Sequence, residues 1–239
     1  MSLSEVQVFV FDVFGTCVDW KTSVINELKE QVKPAPGSNI ATFAYESLAN
    51  QWRQNYYASM REYAKTDPGD IPDVDIVYRQ GLDKVLSGIQ HEPIDEGTRN
   101  ELTQVWHRLV PWVDTNEGLE KLNTIAVTAT LSNGTVRLLL DLKKNGNMPF
   151  DTIFSAELFQ AYKPNPKVYL GAVELLKLKP HQVCLVAAHP HDLLAAKECG
   201  LKTAFVYRPS EHNEYKLDFV DINVDSIAKL ADHVIQNKK

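Results

Sequence analysis

The fold of this chain is decided near its start, by the stretch Val6-Gln7-Val8-Phe9-Val10-Phe11-Asp12-Val13-Phe14-Gly15-Thr16. Its apolar residues are typical of a buried strand in a parallel sheet, and such sheets bind ligands at the carboxyl ends of their strands. Asp12 follows the apolar run, where a buried carboxylate costs free energy unless hydrogen bonds or a cation stabilise it. Gly15 permits a turn that brings backbone N–H groups close to a ligand. Taken alone, the stretch fits a strand with an Asp-capped turn equally well.

The composition argues against several classes of partner. The chain has 239 residues and a net charge of -6, which repels nucleic acid and anionic membrane surfaces. No apolar run in the sequence approaches the roughly 20 residues that span a bilayer. Cys17, Cys184 and Cys199 show no metal-ligand spacing and fit core thiols in a reducing compartment. We therefore expect a cytoplasmic protein without a nucleic-acid or membrane partner.

The order of strand-like and helix-like segments predicts an α/β fold. Helical spacing extends from about Trp20 to about Arg108, and four strand-like runs follow, most of them separated by helical segments. Right-handed crossovers would order these runs into a doubly wound, Rossmann-like parallel sheet, which the first strand joins. The predicted strands are 125–131, 152–155, 183–187 and 203–207, and the predicted helices between and after them are 136–144, 166–176 and 192–199.

The long helical block indicates an insertion into the sheet domain. We expect residues 1–17 and 109–239 to form the catalytic core and residues 18–108 to form a helical cap, with a loop at 66–72. Inserted blocks of this kind usually lie over the carboxyl edge of the sheet, where they close a site off from water.

Polar side chains follow several of the predicted strands. Each has an ordinary explanation when taken singly, as a helix cap, a solvated lysine or a structural histidine. Their recurrence at one edge of the sheet favours a functional site, and a helix N-terminus there is suited to an anion. The side chains are Ser132, Asn133, Lys163, Tyr169, His189 and Asp192.

The order of these residues resembles the haloacid dehalogenase superfamily over essentially the whole chain. Within it, Phe11-Asp12-Val13-Phe14-Gly15-Thr16 is similar to the first motif of the hydrolytic 2-haloacid dehalogenases, in which an aromatic residue follows the nucleophile by two. Phosphatases of the superfamily have a second aspartate at that place. The resemblance implies conversion of short 2-haloacids to 2-hydroxyacids and halide, without a cofactor or metal.

Phe14 separates the two activities chemically. A phosphate ester benefits from a general acid and a cation at its leaving oxygen, and a phenyl ring supplies neither. A carbon–halogen bond needs a carboxylate nucleophile and cationic or dipolar groups around the departing halide. A magnesium-dependent phosphatase using Asp12 and a non-catalytic binding protein are the alternatives.

The resemblance also implies roles for individual residues. Asp12 attacks C2 of the substrate to give an aspartyl ester, which water then hydrolyses. Lys163 keeps Asp12 ionised, Asp192 helps activate or place the water, and Arg53, in Gln51-Trp52-Arg53-Gln54, contacts halide and substrate. Further roles are substrate carboxylate binding by Ser132 and by backbone N–H groups after Asp12 such as that of Val13, halide binding by Asn133, hydrogen bonding by Thr16, and support of the lysine by Tyr169.

The fourth motif departs from the family pattern. The best-known members have a Ser-Ser-Asn type of sequence where this chain has Ala187-Ala188-His189. Histidine at this place either accepts a proton from the water or donates a hydrogen bond. Trp20, Trp112 and Phe14 either narrow the pocket toward haloacetates or serve packing, and family analogy suggests a homodimer through the cap.

We expect the replacement His189→Ala to slow hydrolysis of the Asp12 ester by about 100-fold, a typical contribution of a general base, and to slow its formation much less. Single-turnover trapping of the labelled ester measures both steps. Loss of the alkylation step instead would contradict the assignment.

Overall fold

The computed structural model describes residues 3–37, 44–63, 72–211 and 216–237. Of the loop predicted at 66–72, residues 66–71 lie outside these ranges. No helix in the described part of the chain combines the length and apolar character needed to cross a membrane.

The core of the structure is a six-stranded sheet in the order β5-β4-β1-β6-β7-β8, and all its neighbouring strands are parallel. The short strands β2 and β3 form a separate antiparallel pair. The α/β, Rossmann-like class predicted from the sequence is confirmed. The strands of the described residues are β1 (Val8–Phe11), β2 (Val18–Asp19), β3 (Val110–Pro111), β4 (Val127–Ser132), β5 (Thr152–Ser155), β6 (Val183–Ala187), β7 (Lys202–Val206) and β8 (Ile222–Val224).

Helices surround this sheet and also form a separate layer. In the described part of the chain, four of them, α1 to α4, follow one another between β2 and β3 and pack together, whereas α5 to α8 contact strands of the sheet and α9 packs on α5 and β8. The helices are α1 (Trp20–Gln31), α2 (Tyr45–Tyr63), α3 (Val74–Ser87), α4 (Glu96–Thr103), α5 (Thr115–Asn123), α6 (Val136–Asn145), α7 (Pro166–Leu175), α8 (Pro190–Glu198) and α9 (Ile227–Asn237).

Strand β1 lies at the centre of the sheet. Its four residues are at most 4% exposed, as expected for a strand covered on both faces. In the register of the sheet, Phe11 pairs with Thr130 of β4 and with Val186 of β6. Asp12 therefore emerges between the ends of two neighbouring strands.

The helical layer is held together by stacked aromatic rings. Tyr78 stacks on Trp106 with ring centroids 4.1 Å apart and on Tyr56 at 4.5 Å, and Trp20 also stacks on Trp106 at 6.1 Å. Large aromatic side chains bury much apolar area and their contacts are directional. This aromatic column of Tyr56, Tyr78, Trp106 and Trp20 fixes the helices over the sheet.

The sequence prediction missed one strand of the sheet. Strand β8, Ile222–Val224, has only three residues, all of them partly exposed, so no apolar run marks it. Helix α8 also begins two residues before its predicted start, because Pro190 occupies the first helical turn, where its missing N–H costs nothing.

The turn after Asp12 depends on a glycine and on a buried arginine. Gly15 has a φ of +85°, which disfavours other residues. Arg208 donates from Nε to the carbonyl oxygen of Thr16 (3.0 Å) and pairs with Asp114 at 2.7 Å. The loop after β7 thus holds the turn after β1.

His107 joins the helical layer to the core. Its Nδ1 lies 2.9 Å from the carboxylate of Asp141 on α6, and its Nε2 lies 3.1 Å from that of Asp75 on α3. Burial by itself lowers the pKa of His107, but the two carboxylates outweigh this and raise it. A raised pKa in the folded state means that protonated His107 stabilises the fold.

We expect the free energy of unfolding of the native protein to exceed that of His107→Gln by about 1 kcal/mol at pH 6. This difference should shrink as the pH rises through the folded-state pKa, because the imidazolium is then lost. Urea unfolding at pH 6 to 9 measures it, with His233→Gln, at an exposed position, as the control. A difference independent of pH would contradict the charge assignment.

Candidate active site

A cavity of about 810 Å³ lies between the carboxyl edge of the sheet and helices α1 and α2. Trp20 and a run of α2 residues line it from the helical layer, and the ends of β1, β4 and β6 line it from the core. Of the residues predicted from the sequence, the cavity brings together Asp12, Phe14, Arg53, Ser132, Asn133, Lys163, His189 and Asp192.

Lys163 lies between two buried carboxylates. Its Nζ donates to Asp12 Oδ1 at 2.9 Å and to Asp192 Oδ2 at 2.5 Å, and all three side chains are at most 10% exposed. Burial by itself would raise the pKa of Asp12, but the ammonium of Lys163 and the contact with His189 hold it well below its usual range. Asp12 is therefore an ionised carboxylate at neutral pH.

The second carboxylate oxygen of Asp12 is also fixed. Thr16 Oγ1 donates to Asp12 Oδ2 at 2.8 Å and accepts from the backbone N–H of Ala188 at 2.9 Å. His189 Nδ1 lies 3.0 Å from the same Oδ2. With both oxygens bound by neighbours, the Asp12 carboxylate is held in one orientation.

Tyr169 and Val13 do not line the cavity. The hydroxyl of Tyr169 donates to Asp192 Oδ1 at 2.5 Å, so Tyr169 acts on Lys163 through Asp192 rather than by direct contact. The side chain of Val13 is only 1% exposed. The carboxylate of Asp192 is thus occupied by Lys163 and Tyr169 on its two oxygens.

The side chain of Asn133 forms two hydrogen bonds with the backbone of Lys163. Its Oδ1 accepts from the Lys163 N–H at 2.8 Å, and its Nδ2 donates to the Lys163 carbonyl oxygen at 3.3 Å. Ser132 ends β4, lines the cavity, and accepts a long hydrogen bond from the N–H of Gly134. This strand end therefore positions Lys163 as well as shaping the cavity.

Arg53 is a buried cation among aromatic rings. Its side chain donates from one terminal nitrogen to the hydroxyl of Tyr78 (3.2 Å), while its Nε is buried without a hydrogen-bond partner. Within the described ranges Arg53 forms no ion pair with a carboxylate. A buried guanidinium of this kind favours an anion, because charge-assisted hydrogen bonds would satisfy its donors. Its carbon Cζ lies 4.4–5.5 Å from the ring centroids of Phe14, Trp20, Tyr56, Tyr57 and Trp106.

Glu211 is a site residue that the sequence analysis missed. Its carboxylate lies 2.9 Å from His189 Nε2 and accepts from Trp20 Nε1 at 2.5 Å. Tyr57 OH lies 3.3 Å from the same His189 nitrogen. Glu211 follows the predicted strand 203–207, so inspecting polar residues after that strand, as after the other strands, would have found it.

The donor set does not fit a magnesium ion. Mg²⁺ requires oxygen ligands in octahedral geometry, and here the ammonium of Lys163 lies between the carboxylates of Asp12 and Asp192. The ring of Phe14 packs against Trp106 and Tyr78 and offers no ligand.

Of the two alternatives for Trp112, a pocket wall or a packing residue, the structure selects packing. Trp112 does not line the cavity: its Nε1 donates to the carbonyl oxygen of Gly15 at 3.0 Å and its ring lies beneath the guanidinium of Arg208. The tryptophan therefore supports the turn after Asp12. Trp20 and Phe14 do line the cavity.

Comparison with known proteins finds similar sequences and solved structures that are named as 2-haloacid dehalogenases. The sequence profile described as "Haloacid dehalogenase-like hydrolase" matches residues 9–206. The (S)-2-haloacid dehalogenase 4A of Burkholderia cepacia is 28% identical over 92% of this chain and 91% of its own. The crystal structure of a defluorinating L-2-haloacid dehalogenase shares 35% identity, with a TM-score of 0.82 over 96% of this chain and 95% of its own. A second L-2-haloacid dehalogenase structure gives the same identity and TM-score over 97% and 99%.

We expect the replacement Arg53→Met to weaken the binding of bromide and of propionate by roughly 10- to 100-fold, since a charge-assisted hydrogen bond contributes about 1.5–3 kcal/mol. Isothermal titration calorimetry measures both ions. Arg99→Met, in the helical layer but outside the cavity lining, is the control. Unchanged affinity in Arg53→Met would mean that the anion site lies elsewhere.

Proposed function

The chain belongs to the haloacid dehalogenase-like hydrolase family, and we propose that it hydrolyses the carbon–halogen bond of short 2-haloacids through an ester on Asp12. The observation that carries this proposal is that the ionised carboxylate of Asp12 is followed, two residues later, by the apolar ring of Phe14. Asp12 is held by Lys163, while Phe14 lies beside the guanidinium of Arg53 at 5.5 Å from ring centroid to Cζ. This arrangement supports displacement of an anionic leaving group.

In the first step, Asp12 attacks C2 of the haloacid in line with the carbon–halogen bond. The new carbon–oxygen bond inverts C2, and the halide departs with the bonding electrons toward Arg53, whose buried donors support anion binding. Ser132 and backbone N–H groups after Asp12 bind the substrate carboxylate, and Asn133 contributes to the halide site. The product of this step is an aspartyl ester.

In the second step, water attacks the carboxyl carbon of Asp12 and the ester oxygen leaves with the 2-hydroxyacid. Thr16 and Lys163 hold the carboxyl group during both steps, which their hydrogen bonds to Asp12 support. The Asp12 carboxylate is regenerated without a cofactor. The oxygen in the product comes from Asp12, and the oxygen of water enters Asp12.

A binding protein without catalysis fits the site less well. Burying several charged side chains around one carboxylate costs free energy, and packing alone gives no reason for this cost. A catalytic role accounts for it. The names of the neighbours, which are 2-haloacid dehalogenases, support the same reaction. A magnesium-dependent phosphatase lacks support in the donor set described above.

The proposal extends to the organisation of the protein. We assign residues 18–108 as a cap over a catalytic core of residues 1–17 and 109–239, which the two-sided lining of the cavity supports. A cytoplasmic location is supported by the three cysteines, which are free thiols. A homodimer through the cap is the corresponding expectation for assembly, and sedimentation velocity measures it.

We expect Asp12→Asn to reduce chloride release from 2-chloropropionate by at least about 10³-fold, because an amide is a poor nucleophile. Asp218→Asn, at an exposed position, should retain full activity. Ion chromatography with and without EDTA measures halide, and a phosphate assay runs in parallel. Magnesium-dependent phosphate release without halide release would overturn the proposal.

A single turnover in ¹⁸O-labelled water tests the ester directly. With enzyme in excess, the Asp12 peptide should gain one ¹⁸O and the first 2-hydroxyacid should contain none, because its oxygen comes from the enzyme. Mass spectrometry of peptide and product measures both. Label in the product of the first turnover would indicate direct attack of water on the substrate.

A further inference from the structure

Glu211 is a buried carboxylate for which the proposed reaction has so far no use. Its side chain is 5% exposed, and it accepts hydrogen bonds from Trp20 Nε1 and Ser210 Oγ besides its contact with His189. Burial by itself would raise its pKa, but His189, Arg53 and Trp20 lower it, so Glu211 is ionised. A fixed negative charge opposes binding of an anionic substrate, and a compensating contribution to the reaction is therefore expected.

The turn after β1 leaves room for Glu211. A Cβ atom at Gly15 would lie 2.5 Å from the carboxyl carbon of Glu211, closer than any real contact. The turn therefore packs closely against the carboxylate, while Trp20 from the helical layer holds Oε1 and His189 contacts Oε2. Glu211 is held in one place relative to the imidazole.

We propose that Glu211 is a positioning residue for hydrolysis of the Asp12 ester: it keeps a proton on Nε2 of His189 and leaves Nδ1 as the base for the attacking water. The inference rests on the proposed function, because it requires the ester. It adds to that function an acid–base pair, Glu211 with His189, contributed by loops after two different strands.

Because His189 contacts Asp12, its protonation state changes when Asp12 is alkylated. In the free enzyme both ring nitrogens lie about 3 Å from a carboxylate, Nδ1 from Asp12 and Nε2 from Glu211, so both donate and the ring is an imidazolium. Burial by itself lowers the pKa of His189, but Tyr57 and the two carboxylates outweigh this. Alkylation removes the charge of Asp12, and Glu211 then retains the Nε2 proton while Nδ1 releases its own.

The protons balance over the cycle. The proton released from Nδ1 after alkylation is the one that the overall hydrolysis produces together with the halide. Water then attacks Cγ of the Asp12 ester and gives one proton to Nδ1, and the bond from Cγ to the ester oxygen breaks. The departing alkoxide takes the second proton of the water, so the cycle ends with Asp12 ionised and His189 protonated.

The other polar side chains that face His189 are uncharged, and the remaining charges of the site lie further away. Tyr57 faces it from α2, and His191 lies on α8 with its ring centroid 5.7 Å away. Burial and the proximity of His189 lower the pKa of His191, so it is neutral near pH 7. The more distant charges of the site are Arg53, Arg61, Lys163 and Asp192.

The experiment compares ester formation and ester hydrolysis in the native protein, Glu211→Gln and Glu211→Asp. Bromoacetate is the probe: rapid-quench bromide release reports alkylation, and the mass of the Asp12 peptide reports the ester. Glutamine keeps the size of Glu211 but can donate its amide to Nε2, which permits the wrong tautomer. We expect hydrolysis in Glu211→Gln to fall by about 10- to 100-fold with ester accumulating, and alkylation to change by less than about threefold.

The pH profile separates positioning from a structural effect. The rate of hydrolysis by a neutral base rises with pH because more of the base is then unprotonated, and an adjacent anion raises the pKa of that base. Removing the charge of Glu211 should therefore move the rising limb to lower pH by on the order of one unit, while Glu211→Asp keeps the native limb. A lower rate with an unmoved limb, or hydrolysis that falls as the pH rises, would overturn the proposal.

A double-mutant cycle with His189→Gln completes the test. If Glu211 acts through His189, Glu211→Gln should add less than about twofold to the loss in His189→Gln, and additive losses would overturn the proposal. Glu198→Gln, exposed on α8, is the control for charge removal. Halide release and ester in the native protein with no effect of Glu211→Gln would refute this inference alone, whereas absence of both in the native protein would refute the proposed function.

Discussion

The ammonium of Lys163 between the carboxylates of Asp12 and Asp192 is the interaction on which the rest of the site depends. Without this cation, two buried carboxylates would face each other and at least one would take up a proton. The three residues come from the end of β1, from the segment before α7 and from the first turn of α8. The parallel sheet has to bring these three segments to one edge, and Asn133 and Tyr169 fix their positions.

The other charged side chains of the cavity are consistent with binding of an anion at this edge of the sheet. When His189 is protonated, the cations that line the cavity outnumber the carboxylates by one, so an incoming anion meets no excess of negative charge. Aromatic rings around Arg53 exclude water and strengthen its attraction for an anion. The carboxylates are Asp12, Asp192 and Glu211, and the cations are Lys163, Arg53, Arg61 and His189.

Much of the fold was predictable because most strands of the sheet are short, buried runs of apolar residues that helical segments separate. Strands β5 and β6 have the predicted limits, since both are short runs of mainly apolar or β-branched residues. Strand β8 was not predictable from pattern, because three partly exposed residues at the sheet edge carry no periodicity. Asp12, Lys163 and His189 follow from the rule that ligands bind at strand ends, whereas Arg53 in the helical layer was identified only through family resemblance.

The sequence by itself determined the sheet class, the carboxylate at the end of the first strand and the apolar residue two positions later, because these are local patterns. Only the tertiary structure decided that Glu211 lies against His189, 22 residues away, and against Trp20, 191 residues away. Such contacts depend on the order of strands in the sheet and on the packing of the helical layer over it. No local pattern of residues encodes which loops meet, so the acid–base pair emerged only in the folded chain.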